Sequence, residues 1–156
     1  MGGEEKWMLL ALREAEKAQS VGEVPVGAVV VMGGQFVSCG YNQPVSSSDP
    51  TAHAEVVALR AAGQILGNYR LPECDVYVTL EPCAMCVGAM IHARVRRVVF
   101  GARDPKTGAC GSVVDLFAQE KLNHHTTVTG GVLQAECTEI LRAFFSVRRR
   151  QKKEAG

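Results

Sequence analysis

No apolar run in these 156 residues reaches the length of a membrane-crossing helix, which argues against a transmembrane protein. An excess of charge of one sign is also lacking, since 17 Lys and Arg stand against 16 Asp and Glu for a net +1. Bulk charge therefore offers no case for a nucleic-acid partner, and any such case rests on local clusters. Met1 to Lys6 has no apolar stretch and carries Glu4 and Glu5, so no export signal is expected. Without one, the six cysteines fit a reduced, cytoplasmic setting better than a disulfide framework. Internal repeats and low-complexity segments are missing too. What is present is 47% hydrophobic content, enough for one domain over 1–156, with a core from about 4 to 150 and a polar basic tail over 151–156.

Periodicity sets out the elements. Trp7, Leu10, Ala11, Ala15 and Ala18 recur at three- and four-residue steps, predicting a helix over 4–20 with one buried stripe. Val24 to Met32 and Gln35 to Tyr41 read as strands joined by Gly33-Gly34, the pair a tight hairpin prefers. Asp49-Pro50-Thr51 supplies cap chemistry for a helix from about Ala52 to Leu66. Beyond it come a strand over 73–80, a helix over 83–92 and a strand over 96–101. The remainder reads as a helix over 113–121, a short strand over 126–129 and a terminal helix from Gln134 to about Lys152. Strands alternating with helices predict a sheet with helices on both faces.

Two short runs carry the chemistry: His53-Ala54-Glu55 and Pro82-Cys83-Ala84-Met85-Cys86. A zinc enzyme that uses water needs three protein ligands, an open position and a nearby base that is not a ligand. His53, Cys83 and Cys86 supply the ligands and Glu55 the base. Cys83 and Cys86 share one side of a helical turn, with Pro82 suited to the first helical position and Ala84, Gly88 and Ala89 small enough for a close helix approach. In that arrangement His53 and Glu55 lie in the first turn of their own helix, and both thiols in the first turn of theirs. A Cys-x-x-Cys pair alone could also be a redox dithiol or half of a structural zinc knuckle; the histidine and the carboxylate among apolar neighbours favour catalysis. Cys39, Cys74, Cys110 and Cys137 read as free thiols. His92 reads as a C-terminal helix cap, and His124-His125 lacks the partners for a second metal site.

The order His-x-Glu, then Pro-Cys-x-x-Cys, resembles the zinc-dependent nucleobase deaminases, and the wider match resembles the bacterial tRNA adenosine deaminases within the cytidine/deoxycytidylate deaminase superfamily. The resemblance runs from about Trp7 to Arg149. It is most specific at Glu23 to Val29, Asp49 to Leu59, Asn68 to Leu71, Tyr77 to Met90 and Val98 to Asp104; Pro105 and Cys110 are less typical. It implies a three-layer α/β/α cytidine-deaminase-like fold with a central five-stranded mixed sheet, one Zn2+ per subunit, and a homodimer. It also implies hydrolysis of adenosine to inosine at the first anticodon position of tRNA, with Asn42, Val26, Ala54, Asp104, Phe145 and Arg148 binding substrate.

Two places offer themselves to the flanking nucleotides of an anticodon stem-loop: the Arg103 to Ser112 loop, and the C-terminal run in which Phe144 and Phe145 offer stacking faces and Arg148 to Arg150, with Lys152 and Lys153, phosphate contacts. Glu55 is expected to carry one proton to the ring N1 and a second to the departing ammonia. Two alternatives stand beside this: the same chemistry on a free nucleoside or base such as cytidine or guanine, and a non-catalytic zinc module that only binds RNA.

Overall fold

The computed structural model describes residues 3–123 and 125–155. Its elements are α1 (Gly3–Ser20), β1 (Gly27–Met32), β2 (Gln35–Tyr41), α2 (Ala54–Leu66), β3 (Cys74–Leu80), α3 (Ala84–Ala93), β4 (Arg97–Ala102), β5 (Thr127–Thr129) and α4 (Gln134–Ala155). The strands form one sheet in the order β2-β1-β3-β4-β5. β1 runs antiparallel to both β2 and β3, whereas β3, β4 and β5 are parallel, so the sheet is mixed as expected.

Alternation along the strands divides the core in two. Ala28, Val30, Val76, Val78, Val98 and Phe100 face α2 and α3, meeting Ala54, Ala58, Ala62, Val87 and Met90. Val29, Val31, Tyr77 and Val99 face the other way, against Trp7, Met8 and Ala11 of α1 and Cys137 of α4. Helices therefore cover both faces and give three layers. Gly40 sets how closely α2 can lie on the sheet: a Cβ there would come within 2.7 Å of the Ala54 carbonyl oxygen and 2.8 Å of the Ala58 nitrogen. The first turn of α2 is thus pressed onto the end of β2.

Several boundaries differ from the sequence expectations, each for a visible reason. β1 starts at Gly27, not Val24, because Pro25 has no N–H for the ladder and the Val26 N–H closes a turn onto the Val24 carbonyl at 2.8 Å. α2 starts at Ala54: Asp49 spends its carboxylate on the Thr51 N–H and hydroxyl, at 2.9 and 2.7 Å, rather than on the helix. His53 and Cys83 are the cap residues of α2 and α3, with extended backbones (φ −70, ψ 153 and φ −79, ψ 174), so neither lies inside the first turn and Pro82 precedes the helix. Gly88 faces open space and Ala84 is exposed, leaving Ala89 as the small residue of that trio turned toward α2. Arg94, in the left-handed region at φ 61, ends α3 through its own N–H, while His92 is exposed.

The helix expected over 113–121 is replaced by turns. Val113 and Gly111 bond back to Gly108 and forward to Val114, Cys110 bridges Asp115, and only Phe117 of that stretch is buried. His124 of the His124-His125 pair lies outside the described residues; the His125 ring meets the Pro72 carbonyl at 3.1 Å.

Candidate active site

Sheet direction places the site. β2, β3 and β4 run the same way, so Asn42, the Glu81-Pro82-Cys83 turn and the Asp104 loop all emerge at one edge, beside Val24 and Val26 where β1 begins. A cavity of about 110 Å³ opens there, lined by Val24, Val26, Asn42, His53, Glu55, Leu80, Glu81, Cys83, Asp104 and Thr107. The N-termini of α2 and α3 both converge on it, and their partial positive ends favour thiolate over thiol.

Three donor atoms meet at the floor. His53 Nδ1 is 3.6 Å from Cys83 Sγ and 3.4 Å from Cys86 Sγ, and the sulfurs are 3.7 Å apart. A tetrahedral zinc with Zn–S near 2.3 Å and Zn–N near 2.05 Å separates its sulfurs by about 3.8 Å and each sulfur from the nitrogen by about 3.6 Å. The donors therefore already stand at the spacing of three corners of one tetrahedron, and the fit to zinc is close in geometry and in ligand type. Among the described residues this is the one such group of His, Cys, Asp or Glu.

The electrostatics match. Cys83 is lowered to about 4, first by the hydrogen bond from the Cys86 thiol and then, against the cost of burial, by His53. Cys86 is pushed up by the Cys83 sulfur and by burial, so one sulfur holds the proton the other gives up. Cys83 in turn raises His53. Glu55 is 4% exposed, beside His53 and both sulfurs, and burial raises its carboxyl above the usual range. A carboxyl raised in this way holds a proton more readily than an exposed one, as a group that both accepts and returns protons must.

Of the other residues expected to bind substrate, Val26, Asn42 and Asp104 line the cavity. Asn42 accepts the Ala54 N–H through Oδ1 at 2.8 Å, which leaves its NH2 as the donor it can offer a ligand. Ala54 is fully buried and its N–H is spent on that bond, so it does not reach the wall. Asp104 turns its carboxylate onto its own loop, accepting from the Lys106 and Thr107 N–H groups and the Thr107 hydroxyl. Phe145 lines an adjoining groove with Arg103, Lys106, Leu141 and Arg149, and this groove shares Val24, Leu80, Asp104 and Thr107 with the cavity. Arg148 turns away, its guanidinium over the Phe144 ring at 4.8 Å and 3.4 Å from the Gly22 carbonyl. Thr107 belongs to the Arg103 to Ser112 loop expected to meet the substrate, whereas Val24, Leu80 and Glu81 were not singled out as site residues from the sequence. Only Glu81 left a signal there, as an acid directly after the apolar run of β3.

Comparison with known proteins agrees with this geometry. Residues 1–102 match the cytidine and deoxycytidylate deaminase zinc-binding region. The tRNA-specific adenosine deaminase of Haemophilus influenzae is 50% identical over 151 residues, covering 96% of this chain and 87% of that protein. The tRNA-specific adenosine deaminase of Bacillus subtilis is 44% identical over 155 residues, covering 99% and 96%. A solved structure from work on A-to-I editing by tRNA:A34 deaminases at the wobble position superposes with a TM-score of 0.84 at 46% identity, covering 87% of this chain and 99% of that one. A guanine deaminase from Nitrosomonas europaea superposes with a TM-score of 0.80 at 26% identity, covering 90% and 83%. With the donor triad and the buried carboxylate in place, the chain belongs to the zinc-dependent cytidine and deoxycytidylate deaminase family, on the branch of the tRNA-specific adenosine deaminases.

Proposed function

We propose that this protein hydrolyses adenosine to inosine at the first anticodon position of tRNA. The observation that carries the proposal is a buried Glu55 beside His53, Cys83 and Cys86 set at zinc spacing, in a chain so similar to enzymes of that name. Zinc held by those three residues supplies the Lewis acidity that lets water act as a nucleophile at neutral pH. The chain's own residues do the rest. Glu55 moves two protons: one from water to ring N1, where it stays in the product, and one to the exocyclic nitrogen as the C6–N bond breaks. Water's oxygen ends on C6 and ammonia leaves, so atoms balance. Asn42 orients the purine through its free NH2, with Val26 against the ring and Asp104 and Thr107 above it.

Access favours RNA over a free base. A nucleotide splayed from a single-stranded loop can enter the cavity while its neighbours lie in the groove of Phe145, Arg103, Lys106 and Arg149, which offers one stacking face and three cations. The competing reading, a free-base deaminase, draws on the shared fold of the guanine deaminase, but at far lower identity. Incubation with an adenosine-bearing anticodon stem-loop, and separately with adenosine, cytidine and guanine, decides between them: inosine in the stem-loop alone is expected.

The assembly is a homodimer of single-domain chains working in the cytoplasm. Support comes from an apolar trough of about 600 Å³ between the outer sides of α2 and α3, lined by Val56, Leu59, Tyr69, Leu71, Ala89 and Ala93, which a second copy would cover. Support for a reducing compartment comes from the six cysteines, all of them free. Sedimentation at working concentration is expected to give twice the chain mass.

A further inference from the structure

Glu81 is a buried carboxylate that the proton transfers do not use. It is 2% exposed and sits between the end of β3 and Pro82. One of its oxygens accepts the Asp104 N–H at 3.0 Å and the Ser112 hydroxyl; the other accepts the N–H groups of Cys110 and Ser112 at 2.9 and 3.1 Å. All four donors come from a single loop, the one whose Asp104 and Thr107 wall the cavity. The carboxylate grips that loop at its start and again at its end. Between these points the Ala109 N–H bonds to the Pro82 carbonyl at 2.8 Å, on the turn that carries Cys83. Gly108 packs directly on the grip, since a Cβ there would lie 2.5 Å from Glu81 Oε2 and from the Asp104 carbonyl oxygen.

From this arrangement we propose that Glu81 is a positioning residue for the substrate. It holds the loop from Asp104 to Ser112 in the one shape that forms the cavity wall, and so sets how tightly the target nucleotide is held. None of its own hydrogen bonds goes to His53, Cys83, Cys86 or Glu55, and the loop it grips meets the metal donors only through the turn at Pro82 and Cys83, so zinc content reports whether the donors keep their places when the anchor is lost. Released from its anchor, the loop spreads over many shapes. Apparent affinity then falls by the fraction of molecules still competent to bind: a competent fraction of about one-tenth raises KM about tenfold and leaves kcat nearly unchanged. A purely structural role acts differently, by lowering the folded fraction and hence the apparent kcat at unchanged KM. The inference rests on the tRNA-deaminase function proposed above.

The test uses Glu81→Gln, which keeps the side-chain size but turns an NH2 toward N–H donors, and Ser112→Ala, which deletes one hydroxyl donor from an exposed residue. Readouts are zinc content, native-state trypsin nicking after the exposed Lys106, and KM and kcat on an anticodon stem-loop. Glu81→Gln is expected to keep its zinc, to be nicked at least about tenfold faster, and to show KM raised about tenfold with kcat within about threefold. Ser112→Ala is expected to shift nicking and KM about twofold to threefold, and to add nothing in the Glu81→Gln background. Unchanged nicking, a fall in kcat at constant KM, or additive effects of the two substitutions would overturn the proposal. If Glu81→Gln does not fold, Ser112→Ala decides alone, and wild-type nicking and KM in that variant overturn it. Should the wild-type protein deaminate no stem-loop, the function is wrong, while the nicking rates still report on the loop anchor.

Discussion

Asn42 Oδ1 accepts the backbone N–H of Ala54 at 2.8 Å, so the residue directly after β2 also holds the first N–H of the helix that presents Glu55. One side chain therefore has two separable tasks, an acceptor for the helix and an NH2 donor for the purine. Asn42→Asp keeps the acceptor and is expected to unfold in urea like wild type, yet to bind the stem-loop at least about tenfold more weakly through loss of the donor. Asn42→Ala loses both and should cost about 1 kcal/mol of stability besides. Equal binding by Asn42→Asp and wild type would remove Asn42 from the substrate.

Metal loading depends on pH. Cys83 is drawn down to about 4 while Cys86 is held protonated, so zinc binding must displace the Cys86 proton. Affinity is therefore expected to rise with pH, and zinc added to metal-free protein in weak buffer should release protons. Competition against a chelator at about pH 6 and pH 8 measures this, and a pH-independent affinity would contradict it. Cys86→Ser should fail to retain zinc through the same chelator challenge.

Arg149 lines the groove beside the cavity and Arg148 does not. Arg149→Ala is expected to weaken stem-loop binding and to reduce the slope of log K against log salt by about 0.7, one phosphate's share for single strands, whereas Arg148→Ala should leave that slope unchanged. Slopes altered only by Arg148→Ala would reverse the assignment.

Glu23 gives the fold its own pH dependence. Burial works to raise its pKa, but the N–H groups of Ser46 and Val45, at 2.6 and 3.3 Å, together with Arg148, leave it below the ordinary 4.5. A carboxyl depressed in the folded state contributes stability that is complete above the unfolded pKa and is lost as pH falls through the folded one. Wild type and Glu23→Gln should differ by about 1–2 kcal/mol in urea unfolding at about pH 7, and the gap should shrink as pH falls through the depressed folded-state pKa. A gap that stays constant with pH would contradict this.

Local pattern reveals some of this molecule and not the rest. The stripe from Trp7 to Ala18, the Gly33-Gly34 hairpin and the alternation of strand and helix are local, and they yield the layers and the mixed sheet. The His53, Cys83 and Cys86 donor set was equally legible, because ligand types at fixed spacing restrict the chemistry. Long-range acceptors were not. The segment 113–121 has helical spacing, but Glu81 takes the Cys110 and Ser112 N–H groups just ahead of it, and the chain enters as turns. His53 stands at the cap position rather than in the first turn for a similar reason, since the first N–H of α2 is held by Asn42 across the site while Asp49 turns to Thr51. Which of two adjacent arginines faces a groove likewise depends on how α4 is rotated on β4, and a basic run does not encode that.

Zinc content and inosine formation, measured on one preparation of Glu55→Ala, bear most directly on the four-residue site. Zinc is expected to remain at one per chain, because Glu55 is not a ligand, and sequencing of reacted tRNA should show inosine at the first anticodon position formed at least about a thousandfold more slowly than by wild type. A zinc-loaded Glu55→Ala that makes inosine at the wild-type rate would contradict the assignment of the proton carrier, and with it the mechanism.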